Sequence, residues 1–207
     1  MGQGNRGMAF EKIINLSNEM YQREEVALIN KRPTPVKVLK MVYGRVKDGY
    51  YESKSTVDYD GVYKGRAIAF EAKSTNEINR FDLKNVTQHQ LDYLEKAEKM
   101  GAICFFLIEF SKDQSVFAVP LSVIQSYVRV SKSALGKKSI PRADFDICGY
   151  LVEQTERAPV DYLQYIDEIC VIPSMLDGLT QTDREQTRIA NNIEAAKEKM
   201  ANKKRKL

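Results

Sequence analysis

The sequence predicts an α/β domain built around one mixed β-sheet, on three observations. Apolar residues at helical spacing give way to short strand-like runs, in the order helix, several strands, helix, strand, strand. Two of those runs, residues 103–110 and 116–120, read as short, strongly apolar strands. A chain of 207 residues can hold one well-buried domain with an appendage, but not two full domains. No internal repeat is visible.

Taken in order, residues 8–29 carry Phe10, Ile13, Ile14, Met20 and Tyr21 near one helical face, and predict an opening helix. Pro33 and Pro35 in the segment 30–35 lack amide donors and end it. Residues 36–43 then alternate apolar and basic, break at Gly44 and Asp48-Gly49, and resume at Tyr50-Tyr51. This pattern predicts two strands joined as a basic hairpin or arm over about 33–53. A further pair of strands is expected around the Lys64-Gly65 turn, from Val57 to Tyr63 and from Arg66 to Lys73. A polar loop at 74–79 and a helix over 84–100 ended by Gly101 follow. Residues 131–142 read as a basic surface loop, and 160–169 as a short helix.

The domain is thus expected over 1–172, with 173–207 as a basic, helix-prone tail. Residues 184–207 hold eight Lys/Arg against three Glu, a net +5 against the whole chain's +4. It suits either a non-specific DNA clamp or a solvated terminus. The mildly basic total permits nucleic-acid binding without demanding it. Cys104, Cys148 and Cys170 have no metal-ligand spacing and are odd in number, so they are expected as small buried hydrophobes in a reducing compartment. The N-terminus lacks a signal-peptide pattern, and the longest apolar run, 102–108, is too short to span a bilayer. A soluble, cytoplasmic protein with no membrane partner is expected.

The chemistry concentrates between residues 58 and 73. Asp58 is followed after twelve residues by Glu71-Ala72-Lys73, which closes the strand beginning at Arg66. If the two strands pair around Lys64-Gly65, Asp58 and Glu71 lie across from each other, about 5 Å apart at the backbone. Two such carboxylates suit a shared hard cation, and a nearby ammonium can stabilise charge on a phosphate. Glu71 and Lys73, as alternate residues, share one face of the sheet. The residues alone also allow a surface turn with a salt bridge. The segment reads as a candidate metal-dependent nuclease site.

A series of motifs strengthens this reading. Asn5-Arg6-Gly7-Met8, Lys31-Arg32-Pro33-Thr34-Pro35, Thr56 through Arg66, Phe70-Glu71-Ala72-Lys73 and Asn85 through Gln90 occur in the order seen in the RecU family of Holliday-junction resolvases, which residues 5 to about 170 resemble. The resemblance implies a restriction-endonuclease-like core with a projecting stalk. It also implies a homodimer and Mg²⁺-dependent, symmetric paired nicking of four-way DNA junctions in recombination and repair, with Mn²⁺ as a substitute ion. Carried over by position, it implies that Thr56, Asp58, Glu71 and Gln90 surround the metal and that Lys73 stabilises the transition state. Glu11 takes a supporting catalytic role. A RecA-type recombinase is the candidate protein partner. The chain departs from the family pattern at Ala69, where an acidic residue is common, at Thr87-Gln88, and in a somewhat shortened arm.

Arg6 and the arm residues Lys37, Lys40, Arg45 and Lys47 are the candidate DNA contacts, with Tyr43, Tyr50 and Tyr51 beside them. Such an arm suits the open centre of a junction, although lysines also protect an ordinary edge strand from aggregation. Lys137-Lys138 would add phosphate contacts. His89, the single histidine, is not assigned as a general base, since a lone helix histidine is more often structural or a phosphate contact. Two other functions remain open. One is a nuclease for other DNA structures, and the other is a non-catalytic junction-binding or recombinase-modulating protein.

Overall fold

The computed structural model describes residues 3–53, 55–133, 136–166 and 169. The tail from 173 and Cys170 lie outside them. Helix α1 (Gln3–Arg23) leads to strand β1 (Ala27–Lys31), hairpin strands β2 (Val36–Val42) and β3 (Arg45–Tyr51), and then β4 (Tyr59–Tyr63) and β5 (Arg66–Thr75). After β6 (Arg80–Asp82) come α2 (Gln88–Lys99), β7 (Ile103–Phe110), β8 (Ser115–Pro120), α3 (Leu121–Ser131), β9 (Ser139–Pro141), α4 (Arg142–Cys148) and β10 (Tyr150–Val152).

Six strands form the central sheet in the order β1-β4-β5-β7-β8-β10. Only the β5/β7 pair is parallel, with α2 as its crossover, so the sheet is mixed as expected. Helices cover both faces. Phe10, Ile14 and Tyr21 of α1 pack with Ile68, Phe70, Phe105 and Leu107 on one face. On the other, Leu91 and Leu94 of α2, Leu121 and Ile124 of α3 and Phe145 of α4 pack with Ala69, Phe106 and Ile108. Alternate residues of β5 and β7 therefore enter opposite cores, which is why these strands read as continuous apolar runs. This is the flanked-sheet core that the resemblance implied.

The opening helix lies earlier in the chain than the expected 8–29, beginning at Gln3 and ending at Arg23. It closes at Arg23 because the Glu25 amide donates to the Gln22 carbonyl and the Val26 amide to the Tyr21 carbonyl, with Glu25 in the left-handed region at φ 56°. Residues 27–31 then become an edge strand paired with β4, where the helix was expected to continue to 29. Helix α2 likewise begins at Gln88, not 84, since a single 3₁₀ turn at Leu83–Asn85 precedes it. The region 131–142 is not all loop, because β9 pairs with β6 within it. The expected helix at 160–169 contains a 3₁₀ turn at Tyr162–Tyr165.

Strands β2 and β3 form a separate two-stranded sheet. Tyr43 and Gly44, both at positive φ, make its tight turn, as primed hairpin turns require. All of its strand residues are exposed except Val42, which is partly so, and none joins either core cluster. Cys104 is buried in the α2-face core and Cys148 packs against its edge. No described helix is long and apolar enough to cross a membrane.

Candidate active site

The site forms where β4 begins and β5 continues past it. The Lys64-Gly65 turn, with φ of 48° and 73°, sets a register that pairs Tyr59 with Phe70. One step further along each chain stand Asp58 and Glu71. Rings of Tyr59, Phe70 and Phe105 stack with centroids 4.8 Å apart at each step, which ties β4, β5 and β7 together beneath the site on the α1 face. Asp58 is held on both flanks, because Val57 is buried in one core and Tyr59 in the other. Gly61 lets β1 approach β4: a Cβ there would sit 2.0 Å from the Leu28 carbonyl oxygen.

Glu71, Lys73, Asp58 and Gln90 meet at this point. The Glu71 side chain is fully buried, and its Oε2 receives Lys73 Nζ at 2.8 Å and Gln90 Nε2 at 2.5 Å. Its Oε1 is buried without a hydrogen-bond partner in the described structure. Asp58 Oδ2 accepts the Ala72 amide at 3.1 Å, beyond the end of the β4 ladder, and lies 3.7 Å from Lys73 Nζ. Burial pushes the Glu71 carboxyl up to about 8. Lys73 pulls against this rise and the neighbouring Asp58 adds to it.

Thr56 and Glu11 lie at the margins. Thr56 Oγ1 accepts from Arg32 Nη1 at 3.1 Å. The same guanidinium donates from Nε to Asp60 Oδ2 at 2.6 Å, and the Arg32 amide donates to the Asp58 carbonyl at 2.8 Å. Arg32 thus holds Thr56, Asp58 and Asp60 by three bonds, a role that nothing in the sequence marked. The Glu11 carboxylate pairs with Lys31 at 2.5 Å, and its backbone carbonyl accepts the Tyr59 hydroxyl at 3.3 Å. It reaches the site through Tyr59, whose hydroxyl is raised above its ordinary range by burial first, then by the charges of Glu11 and Asp58.

Thr87 was also missed as a contributor. Its amide and hydroxyl both donate to Gln90 Oε1, at 3.3 and 2.7 Å. The signal was present in the sequence as Thr-x-x-Gln, a helix-start pattern that would also have corrected the start of α2. Among the described residues no three His, Cys, Asp or Glu side chains gather, so a cation here would rest on two carboxylates and neutral oxygens. The candidate DNA contacts lie elsewhere. Lys37, Lys40, Arg45 and Lys47 are exposed on the β2-β3 hairpin, and Lys137 and Lys138 are exposed before β9. Arg6 falls within α1, its side chain outside the described residues.

The family model described as Recombination protein U matches residues 5–168. The chain belongs to the RecU family. Similar proteins include the Holliday junction resolvase RecU of Pediococcus pentosaceus, 37% identical over 171 residues that cover 80% of this chain and 85% of that protein. The protein of the same name from Ligilactobacillus salivarius is 34% identical over 169 residues, covering 79% and 78% of the two chains. That from a Geobacillus species is 32% identical over 171 residues, covering 80% and 85%. In this RecU-family chain the match spans α1 through the Tyr162–Tyr165 turn, and so contains the whole carboxylate and lysine cluster.

Proposed function

We propose that this protein is a Mg²⁺-dependent, structure-specific endonuclease that resolves Holliday junctions during DNA recombination and repair. It acts in the cytoplasm as a homodimer whose two sites make paired symmetric nicks, since a two-fold dimer matches the approximate symmetry of a four-way junction. The observation that carries this reading is the buried Glu71 beside Asp58 and Lys73, in a chain whose named relatives are Holliday junction resolvases.

The residues present fit a divalent cation. A fully buried carboxylate with one oxygen left without a partner is costly in a dry core, and a hard cation offsets that cost. Asp58 and Glu71 supply anionic oxygens, and Thr56 and Gln90 complete the surroundings. The chemistry such an ion supplies when bound is polarisation of a phosphate oxygen and a lowered pKa for an attacking water.

The remaining work falls to the protein's own groups. Lys73 holds its ammonium between the two carboxylates, where it can turn to charge building on a phosphate oxygen. The Arg32 amide holds the Asp58 carbonyl and its guanidinium holds Thr56 and Asp60, while the Glu11 carbonyl, through the Tyr59 hydroxyl, supports the same segment. The exposed basic hairpin provides phosphate contacts away from the site, and its tyrosines offer ring faces to unstacked bases.

Incubation with a synthetic four-way junction and with linear duplex of the same sequence, in Mg²⁺, tests the assignment. Junction-selective nicks in opposing strands support it. Equal cleavage of both substrates would point to a nuclease of other specificity, and binding without cleavage in Mg²⁺ or Mn²⁺ to a non-catalytic protein.

A further inference from the structure

Gln90 is buried, and its side chain has a fixed orientation that bears on how the site works. The Thr87 backbone N–H can only donate, so the Gln90 atom facing it at 3.3 Å must be the carbonyl oxygen. Rotating the amide by half a turn would set a nitrogen against that N–H. It would also set an oxygen against Glu71 Oε2, a donor facing a donor and an acceptor facing an acceptor. The Thr87 hydroxyl gives the same oxygen a second bond at 2.7 Å. Gln90 Nε2 is consequently aimed at Glu71 Oε2. That oxygen also takes Lys73, which leaves Glu71 Oε1 as the oxygen without a partner.

We propose that Thr87 is a positioning residue for the cation site: it locks Gln90 as a hydrogen-bond donor to Glu71 Oε2, so that Glu71 Oε1 is the oxygen presented to the ion. Gln90 then serves the cation through Glu71, and its own amide oxygen remains bound to Thr87. This rests on the reading of Asp58 and Glu71 as the cation-holding pair and deepens it. The contribution is local. Thr87 stands at the first turn of α2 with its side chain at the protein surface, so the hydroxyl can be changed without opening either core.

The test measures Mn²⁺ affinity by electron paramagnetic resonance and isothermal titration, on the whole protein without DNA, where no substrate is consumed. The variants are T87V, T87S, Q90L and the double variant T87V/Q90L. T87V is expected to weaken Mn²⁺ binding about threefold to tenfold, the range one neutral hydrogen bond spans, while T87S stays near wild type. In the Q90L background the further effect of T87V should disappear, because Thr87 acts through Gln90. A cap that only supports the helix would lower the melting temperature equally in both backgrounds and leave affinity unchanged. Wild-type affinity in T87V, or the same loss of affinity with and without Gln90, would overturn the proposal while leaving the cation site standing. Absence of Mn²⁺ binding by the wild type would overturn both.

Discussion

Lys73 Nζ lies 2.8 Å from the buried Oε2 of Glu71, two residues before it on the same face of β5. The ammonium is the main influence opposing burial at Glu71, so the pair sets both the charge state of the carboxylate and the position of the lysine. Replacing Lys73 by Met keeps the length of the side chain and removes its charge. Junction cleavage in K73M, measured under single-turnover conditions, is expected to fall by about 10²–10³-fold, as when a preorganised electrostatic group is removed. Junction binding, followed by gel shift without Mg²⁺, should change little.

The raised Glu71 carboxyl makes the metal-free fold sensitive to pH. In the unfolded chain Glu71 titrates near 4.5, and in the folded protein near 8. Between these values the native state holds a proton that the unfolded state has released, so this group's contribution to stability falls as pH rises from 4.5 to 8 and is level above that. E71Q removes the titration. Thermal melts in EDTA should therefore show E71Q gaining on wild type as pH rises from 5 to 8.5. A constant difference across that range would count against a buried, protonated Glu71.

Arg32 ties together the segment that carries Asp58. Its guanidinium and its partner Asp60 are substantially exposed, so the ion pair itself contributes within about 1 kcal/mol of stability. The consequence for catalysis is larger, because Thr56 and Asp60, on either side of Asp58, lose a common side-chain anchor and only the backbone bond from the residue-32 amide to the Asp58 carbonyl remains. R32M is predicted to melt within a few degrees of wild type and to cleave junctions roughly tenfold more slowly, as misplacement of a site residue does. R32K keeps the charge but not the two-pronged geometry, and should resemble R32M more than wild type.

Much of this arrangement was legible in the sequence. Asp58, Glu71 and Lys73 could be brought together from the turn signal at Lys64-Gly65 and the period-2 alternation of β5, because both operate over a few residues. β1 was not legible. Val26 to Ile29 extends an apolar pattern that fits a helical turn as well as a strand, and the choice was made by the left-handed Glu25 and by pairing to β4, which is distant in the chain. Three-residue strands such as β6, β9 and β10 carry too few residues for any periodicity. The Arg32 anchor depends on side-chain geometry that no spacing encodes, whereas Thr87 and Gln90 stand at a readable helix-start spacing and only the contact of Gln90 with Glu71 had to come from the fold.

Gly61 should tolerate no side chain. A methyl group at this position meets the Leu28 carbonyl and Ile29 Cα of the neighbouring strand, backbone that cannot yield cheaply. G61A is expected to lose about 1–3 kcal/mol in urea unfolding, an overpacking penalty. Cleavage should suffer too, since β4 carries the chain directly out of Asp58.

The β2-β3 hairpin should separate binding from folding. Lys37, Lys40, Arg45 and Lys47 are exposed and their strands join neither core, so changing all four to alanine should leave the melting temperature almost unchanged. Junction affinity should fall, and the dependence of log K on log salt should become shallower, by up to roughly one unit of slope for each lost phosphate contact. A salt slope equal to wild type would remove the hairpin from the DNA-binding surface.

The most direct test of the central claim is cleavage of a labelled four-way junction in Mg²⁺ by wild type and by Asp58→Asn, with nick positions mapped on all four strands. The account predicts paired nicks at symmetric positions in opposing strands for the wild type, and cleavage reduced by at least about 10²-fold in the variant, which loses the charge of one of two cation-holding carboxylates. Equal rates for the two proteins would contradict it.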